Sequence, residues 1–237
     1  MRLRRGEGRP LVIGHRGAAA VAPENTLASL EAAVAAGADL VEFDISPGLR
    51  LGHSELEIPT DPIDLDFALE YLREHRLGVH LDVKLPGYET EVVAALRRHG
   101  LEERAVVSTA FAVTSRRVAV LAPQLPRAIG YPRDRLGVAR IPWPRGLTQA
   151  GAAVLRQAMP LRVPLLLRVA RANVLSLHHA LCSRAAVAAA HRLGAPVLAW
   201  TANDAETVRR LAAVGVDAIV SDDPGMALRS LATLLDQ

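Results

Sequence analysis

Short apolar runs alternate with amphipathic stretches along the chain, and the alternation predicts strand then helix almost throughout. Leu11-Val12-Ile13 is a buried-strand run that ends in Gly14-His15-Arg16-Gly17, where the flanking glycines let the backbone turn and approach a ligand closely. Pro23-Glu24-Asn25-Thr26 then leads into a helix in which Leu27, Leu30 and Val34 recur at helical spacing, with Asn25 or Thr26 as its cap and Gly37 as its stop. The second strand, Asp39 to Asp44, turns Glu42 and Asp44 to one side and Val41 and Phe43 to the other. After the Pro47-Gly48 turn, Leu49-Arg50-Leu51 forms a short extension that delivers His53, and Asp61 to Arg76 reads as a helix with Leu65, Leu69 and Leu72 on one face. In the third strand, Val79 to Lys84, the positions His80, Asp82 and Lys84 share a face, with Asp82 and Lys84 at the C-terminal end.

Further strands are read at Ala105–Ser108, Arg127–Tyr131, Ala172–Leu177, Pro196–Trp200 and Asp217–Val220. Helices run from Gly87 to about His99 and from beyond His178-His179 to about Leu193. Between Pro132 and Arg171 five prolines interrupt the pattern, which supports only a helix from about Leu147 to Met159. Eight β/α units of this kind imply an α/β fold, the TIM (β/α)8 barrel, as a single domain over 11–237 behind a short basic tail of residues 1–10. The 237-residue length suits that, since about 250 residues is typical of the architecture.

Composition narrows the picture in two ways. Half of the residues are hydrophobic but only 3% are aromatic, so the core must be aliphatic. A formal net charge of +3 is too mild to argue for nucleic acid, and no aromatic interleaving supports that partner, although the arginines favour anionic substrates or a membrane surface. The single cysteine, Cys182, excludes an intrachain disulfide and fits a reducing compartment. No secretory leader and no run long enough to span a bilayer is visible, so a cytoplasmic protein is expected; the oligomeric state leaves no readable trace.

Glu42 and Asp44 both face inward on a nearly continuous apolar strand, and an inward acid pair is costly unless something positive meets it. A divalent cation with hard oxygen ligands, magnesium or calcium, meets that need. Lys84 is the only lysine in a chain that otherwise uses arginine, and its place at a strand end points to phosphate binding. His178 and His179 follow the Ala172–Leu177 strand, and because adjacent side chains on an extended chain point to opposite faces, the pair is not expected on one metal.

His15-Arg16-Gly17, Pro23-Glu24-Asn25-Thr26 and Glu42-Phe43-Asp44 together resemble the glycerophosphodiester phosphodiesterase family, and the resemblance runs from Leu11 to about Pro224. It implies a TIM barrel that hydrolyses glycerophosphodiesters to glycerol 3-phosphate and an alcohol with one divalent metal ion. By that resemblance Glu42, Asp44 and Asp82 hold the metal, and His15 and His53 divide the proton transfers. Arg16 and Lys84 bind the phosphate, Trp200 flanks the substrate, and Glu24 and Asn25 brace the metal site from behind. Two departures stand out: Ser54 follows His53 where an aspartate is usual, and Asp82 stands where glutamate is common. Only 28 residues separate His53 from Asp82, too few for the large inserted lobe of many relatives. Two other readings share these residues: a sphingomyelinase D or phospholipase D-like barrel acting on lysophospholipids, and a catalytically silent barrel that binds a phosphorylated ligand.

Overall fold

The computed structural model describes residue 3 and residues 8–52, 63–132 and 145–235. Eight parallel strands close into a barrel: β1 (Leu11–Gly14), β2 (Leu40–Ser46), β4 (Gly78–Val83), β5 (Ala105–Thr109), β6 (Arg127–Tyr131), β7 (Val174–His178), β8 (Val197–Trp200) and β9 (Ala218–Ser221). The ring is sealed by β1, which pairs with β9 on one side and β2 on the other. The two-residue β3 (Arg50–Leu51) folds back antiparallel on the end of β2. Helices α1 (Leu27–Ala35), α2 (Leu65–Glu74), α3 (Glu89–Arg98), α4 (Ala112–Leu121), α5 (Arg145–Ala170), α6 (Arg184–Arg192), α7 (Ala205–Val214) and α8 (Pro224–Leu235) follow the strands in turn. All eight strands read from the sequence are present within a residue or two.

Alternation along each strand sorts the barrel into an inside and an outside. Ile13, Leu40, Val106, Ala128, Val174, Leu198, Ala218 and Val220 form one apolar cluster inside the barrel, near the starts of the strands. Above them, toward the C-terminal ends, the inward positions turn polar: Glu42 pairs with His80, then Asp44 with Asp82, and Asp82 with Ser108. The outward positions, such as Val41, Phe43, Leu81 and Val107, pack under the helices. A polar mouth therefore sits on an aliphatic floor, as expected from a core with almost no aromatics.

Several expectations are corrected. Within the basic tail, Leu3 is 3% exposed and belongs to the barrel-interior cluster, beside small residues such as Ala128 and Ala218. Helix α5 does not stop at Met159 but continues through Pro160 and Pro164 to Ala170. Met159, Val163, Leu167 and Ala170 are buried at helical spacing along it, so packing of that face outweighs the hydrogen bonds the two prolines forgo. His178 and His179 do not point apart, because β7 ends at His178 and a 3-10 turn begins at His179; their rings lie 4.4 Å apart. Thr26, not Asn25, caps α1, in a reciprocal box with Ser29. Of the predicted helix from Asp61, residues 61 and 62 lie outside the described residues, and α2 begins after the Asp64 cap.

The turn after β1 explains its glycines. Gly17 has φ +90°, and a Cβ built on it meets Ser29 Oγ at 2.3 Å. Gly17→Ala should therefore destabilise the fold by about 2–3 kcal/mol in urea unfolding, from overpacking added to left-handed strain; a loss under about 0.5 kcal/mol, the range of an ordinary surface change, would contradict this account of the turn.

Candidate active site at the C-terminal mouth of the barrel

The strand ends bring His15, Arg16, Glu42, Asp44, Asp82 and Lys84 into one cluster. Glu42 and Asp44 are 3% and 1% exposed, and one carboxylate oxygen from each of Glu42, Asp44 and Asp82 lies within 4.8 Å of the others. That span is what three oxygens around one ion need when each bonds it at about 2.0–2.6 Å. The donor set is all carboxylate, the chemistry that hard divalent cations prefer. Two side-chain cations are already interleaved with it. The Lys84 ammonium bridges Asp44 Oδ1, at 2.6 Å, and Asp82 Oδ2. Arg16 grips Glu24 with Nη1 at 2.7 and 2.8 Å, and its Nε lies 2.9 Å from Asp44 Oδ2, an ion pair whose angle leaves neither atom with a hydrogen bond.

The backbone sets this up. Arg16 has φ +49°, a left-handed value that few non-glycine residues adopt, and its N–H donates to Glu42 Oε2 at 3.0 Å. The turn thus ties β1 to β2 and throws the guanidinium across the mouth. Its strain is offset by the ion pairs that hold the side chain.

Charge in the cluster is unbalanced: Glu24, Glu42, Asp44, Asp82 and Asp222 face the two obligate cations Arg16 and Lys84. The deficit falls on Glu42. Burial, and then the neighbouring Asp44 carboxylate, hold its carboxyl far above the ordinary range, to about 8. For Asp82 burial works in the same upward direction, but the Lys84 ammonium and the Ser108 hydroxyl outweigh it and hold the carboxyl below its usual value. Lys84 is likewise pulled up against its burial by Asp82 and Asp44, so it stays charged.

His15 stands at the edge of this cluster. Its Nδ1–H donates to Asp222 Oδ1 at 2.5 Å, and its Nε2 lies 3.8 Å from Glu42 Oε2. Burial lowers its pKa, but the Asp222 hydrogen bond and the Glu42 charge more than offset that and leave it raised. Asn203 completes the arrangement: its amide nitrogen donates to Asp222 Oδ2, and its carbonyl accepts from the Asp222 N–H at 3.0 Å. The β1–β9 seam allows this, since His15 N donates to Ser221 O at 2.9 Å and sets the two strand ends level. Sequence reading missed Asp222 and Asn203; their only signal is their place in Ser221-Asp222-Asp223-Pro224 and Trp200-Thr201-Ala202-Asn203, at the ends of two predicted strands, where this architecture builds sites.

A second network lies beneath Asp82. The Ser108 hydroxyl donates to Asp82 Oδ1 at 2.5 Å and accepts from His80 Nε2–H at 2.7 Å. A hydroxyl has one proton, so giving it to the carboxylate fixes the histidine tautomer. Burial drops the His80 pKa to about 4, which keeps the ring neutral.

The remaining predicted residues divide. Glu24 braces Arg16 and makes no contact with the carboxylate triad. Asn25 is fully buried, and neither end of its amide has a partner among the described residues. Trp200 is half-buried and meets His178 edge-to-face, ring centres 5.3 Å apart, on the wall of the mouth across from the acids. His53, with Ser54, lies outside the described residues.

The sequence profile of the glycerophosphoryl diester phosphodiesterase family matches residues 15–46 and 142–226, which contain His15, Glu42, Asp44, Trp200 and Asp222 but not Asp82 or Lys84. A glycerophosphodiester phosphodiesterase of Caldanaerobacter subterraneus is 24% identical over 256 residues, covering 90% of this chain and 94% of its own. Among solved structures, a glycerophosphodiester phosphodiesterase of Parabacteroides distasonis superposes with a TM-score of 0.75 at 16% identity, covering 97% of this chain and all of that one. An Oleispira antarctica phosphodiesterase in complex with the product sn-glycerol-3-phosphate superposes with a TM-score of 0.71 at 22% identity, covering 94% and 97%. The motif set of the first two strands, the closed barrel and the profile match all point to the glycerophosphoryl diester phosphodiesterase family.

Proposed function

We propose that this mouth hydrolyses glycerophosphodiesters to glycerol 3-phosphate and an alcohol, with one divalent cation, magnesium or calcium, held by Glu42, Asp44 and Asp82. The observation that carries this is the convergence of three carboxylates whose charge the resident cations do not balance. When bound there, such a cation polarises a phosphoryl oxygen and lowers the pKa of a hydroxyl beside it.

The protein's own groups supply the rest. Arg16 and Lys84 neutralise the anionic phosphoryl oxygens and orient phosphorus for in-line attack, which charge-assisted hydrogen bonds do best in a half-buried site. Lys84 leaves its bridge between Asp44 and Asp82 to reach the phosphate. His15 moves a proton at Nε2, because Asp222 holds Nδ1–H and with it the tautomer and ring orientation. Asn203 keeps Asp222 in place. Ser108 and His80 fix the rotamer of Asp82, which compensates for a side chain one methylene shorter than glutamate. Trp200 and the neutral His178 form an uncharged wall against which the alcohol portion rests. His53 is the second proton-transfer group of this reading. The buried free Cys182 suits a reducing compartment.

Three outcomes are expected. Incubation with glycerophosphocholine and related diesters should release glycerol 3-phosphate, chelator should abolish the release, and His15→Ala should lower kcat by about 10²–10⁴-fold; turnover that chelator leaves intact would contradict the metal role. Magnesium or calcium should raise Tm, and Glu42→Gln should remove most of that rise. The folded pKa of Glu42 stands above its unfolded value of 4.5, so its contribution to stability is full below 4.5 and is lost as pH rises through about 8. The metal-dependent rise in Tm should accordingly be larger at pH 8 than at pH 5. Finally, in chelated protein Asp222→Asn should lower the His15 pKa as read by NMR of the imidazole protons, since the charged acceptor is gone and burial remains; an unchanged titration would remove Asp222 from the account.

A further inference from the structure

Charge along the chain is strongly split. Residues 104–203 carry fourteen arginines against one acid, Asp134, while the rest of the chain carries fourteen basic against twenty-four acidic residues. The basic stretch builds β5 to β8 and α4 to α6, one half of the barrel, and the acids that form the mouth come from the other half.

On that basic half, α5 is apolar on two sides. Met159, Val163 and Leu167 face the core. Val154, Leu161 and Leu165 recur at spacings of seven and four and are 68%, 86% and 63% exposed. At about 100° per residue they lie roughly opposite the buried row. Exposed Arg162 and Arg168 flank this outer stripe, and α5 contains no acidic residue at all. Neighbouring α4 adds Val113 and Val120, 48% and 70% exposed.

We propose that the α4–α5 face docks on the surface of an anionic lipid bilayer, with α5 lying in the plane of the headgroups. Leucines between arginines on a helix without acids suit that surface: the guanidiniums meet lipid phosphates while the leucines enter the boundary of the acyl region. No helix among the described residues is long and apolar enough to cross a membrane, so the contact is peripheral. A second copy of the chain fits less well, because pairing this stripe with itself sets arginine against arginine with no carboxylate on α5 to relieve it. Nucleic acid also fits less well, since α4 and α5 offer no aromatic side chain on which a base stacks, and exposed leucines gain nothing from a phosphate backbone.

Co-sedimentation of the full chain with vesicles tests this. Phosphatidylglycerol–phosphatidylcholine vesicles should bind it, pure phosphatidylcholine vesicles should not, and high salt should release it. Arg162→Glu with Arg168→Glu should weaken binding by about fivefold per charge removed, and more for the reversal. Leu161→Ser with Leu165→Ser should weaken it about tenfold or more at equal Tm, with hydrolysis of a water-soluble diester unchanged in both variants. No difference between the two vesicle types, or binding that the leucine pair leaves untouched, would overturn the proposal. So would a dimer in sedimentation equilibrium that the leucine variant dissolves, or capture by duplex DNA that displaces the vesicles and ignores the leucines.

Discussion

The structure depends on one electrostatic constraint: three carboxylates, two of them almost fully buried, converge at the mouth of the barrel. At about 4 Å, two such charges repel by about 4 kcal/mol even at an effective dielectric near 20. Lys84 between Asp44 and Asp82, and Arg16 between Glu24 and Asp44, relieve part of that repulsion. Burial, together with the repulsion from Asp44 that they leave unrelieved, drives the Glu42 carboxyl upward. A cluster optimised for stability alone would have replaced one acid by an apolar residue of similar size. Retention of the full set, at that energetic cost, is the physical case for a cation of higher charge than a lysine.

The scaffold answers the constraint by fixing every ionised group from at least one neighbour. Inward positions on β2 and β4 are in register, so Asp44 and Asp82 are held side by side by backbone pairing before any side chain is considered. The left-handed turn at Arg16 brings a main-chain N–H onto Glu42 and a guanidinium onto Asp44 in one residue. His15 is oriented across the β1–β9 seam by Asp222, and Asp82 from β5 by Ser108. Each of these contacts comes from a different strand, so small shifts between strands would disturb all of them together; the aliphatic packing below the mouth is what resists such shifts.

Strand order and the acid cluster were legible in the sequence because both depend on local periodicity: alternate positions on a strand decide which side chains turn inward, and Glu42, Asp44, Asp82 and Lys84 all obey that rule. Asp222 and Asn203 were not, since their role arises from the seam where the last strand meets the first, a contact between positions more than 180 residues apart with no trace in either local pattern. His80 was recognisable as sharing a face with Asp82, but its coupling to Ser108 needs the register of β4 against β5. The length of α5 was hidden for another reason. Proline punctuation is a local signal, and the buried row from Met159 to Ala170 that overrides it gains its weight only once β6, β7 and α6 are in place to cover it.

The division of charge between the two halves of the barrel adds a further step. Arginines packed into a single stretch with one acid repel one another, a cost that the fold meets at Arg116, Arg117, Arg162, Arg168, Arg184 and Arg192 by facing them outward on α4, α5 and α6, where water screens them. The acidic half meets the opposite problem by turning three of its carboxylates inward onto two cations. The resulting field runs across the barrel, negative at the acid wall of the mouth and positive along the outer face of α5. In the proposed reaction an anionic phosphodiester approaching the mouth is drawn by Arg16 and Lys84 and repelled by uncovered acids. On the proposed reading, substrate capture and occupation of the acid cluster by a cation are coupled through charge, because a cation in that cluster would remove the main electrostatic barrier to a phosphate between Arg16 and Lys84.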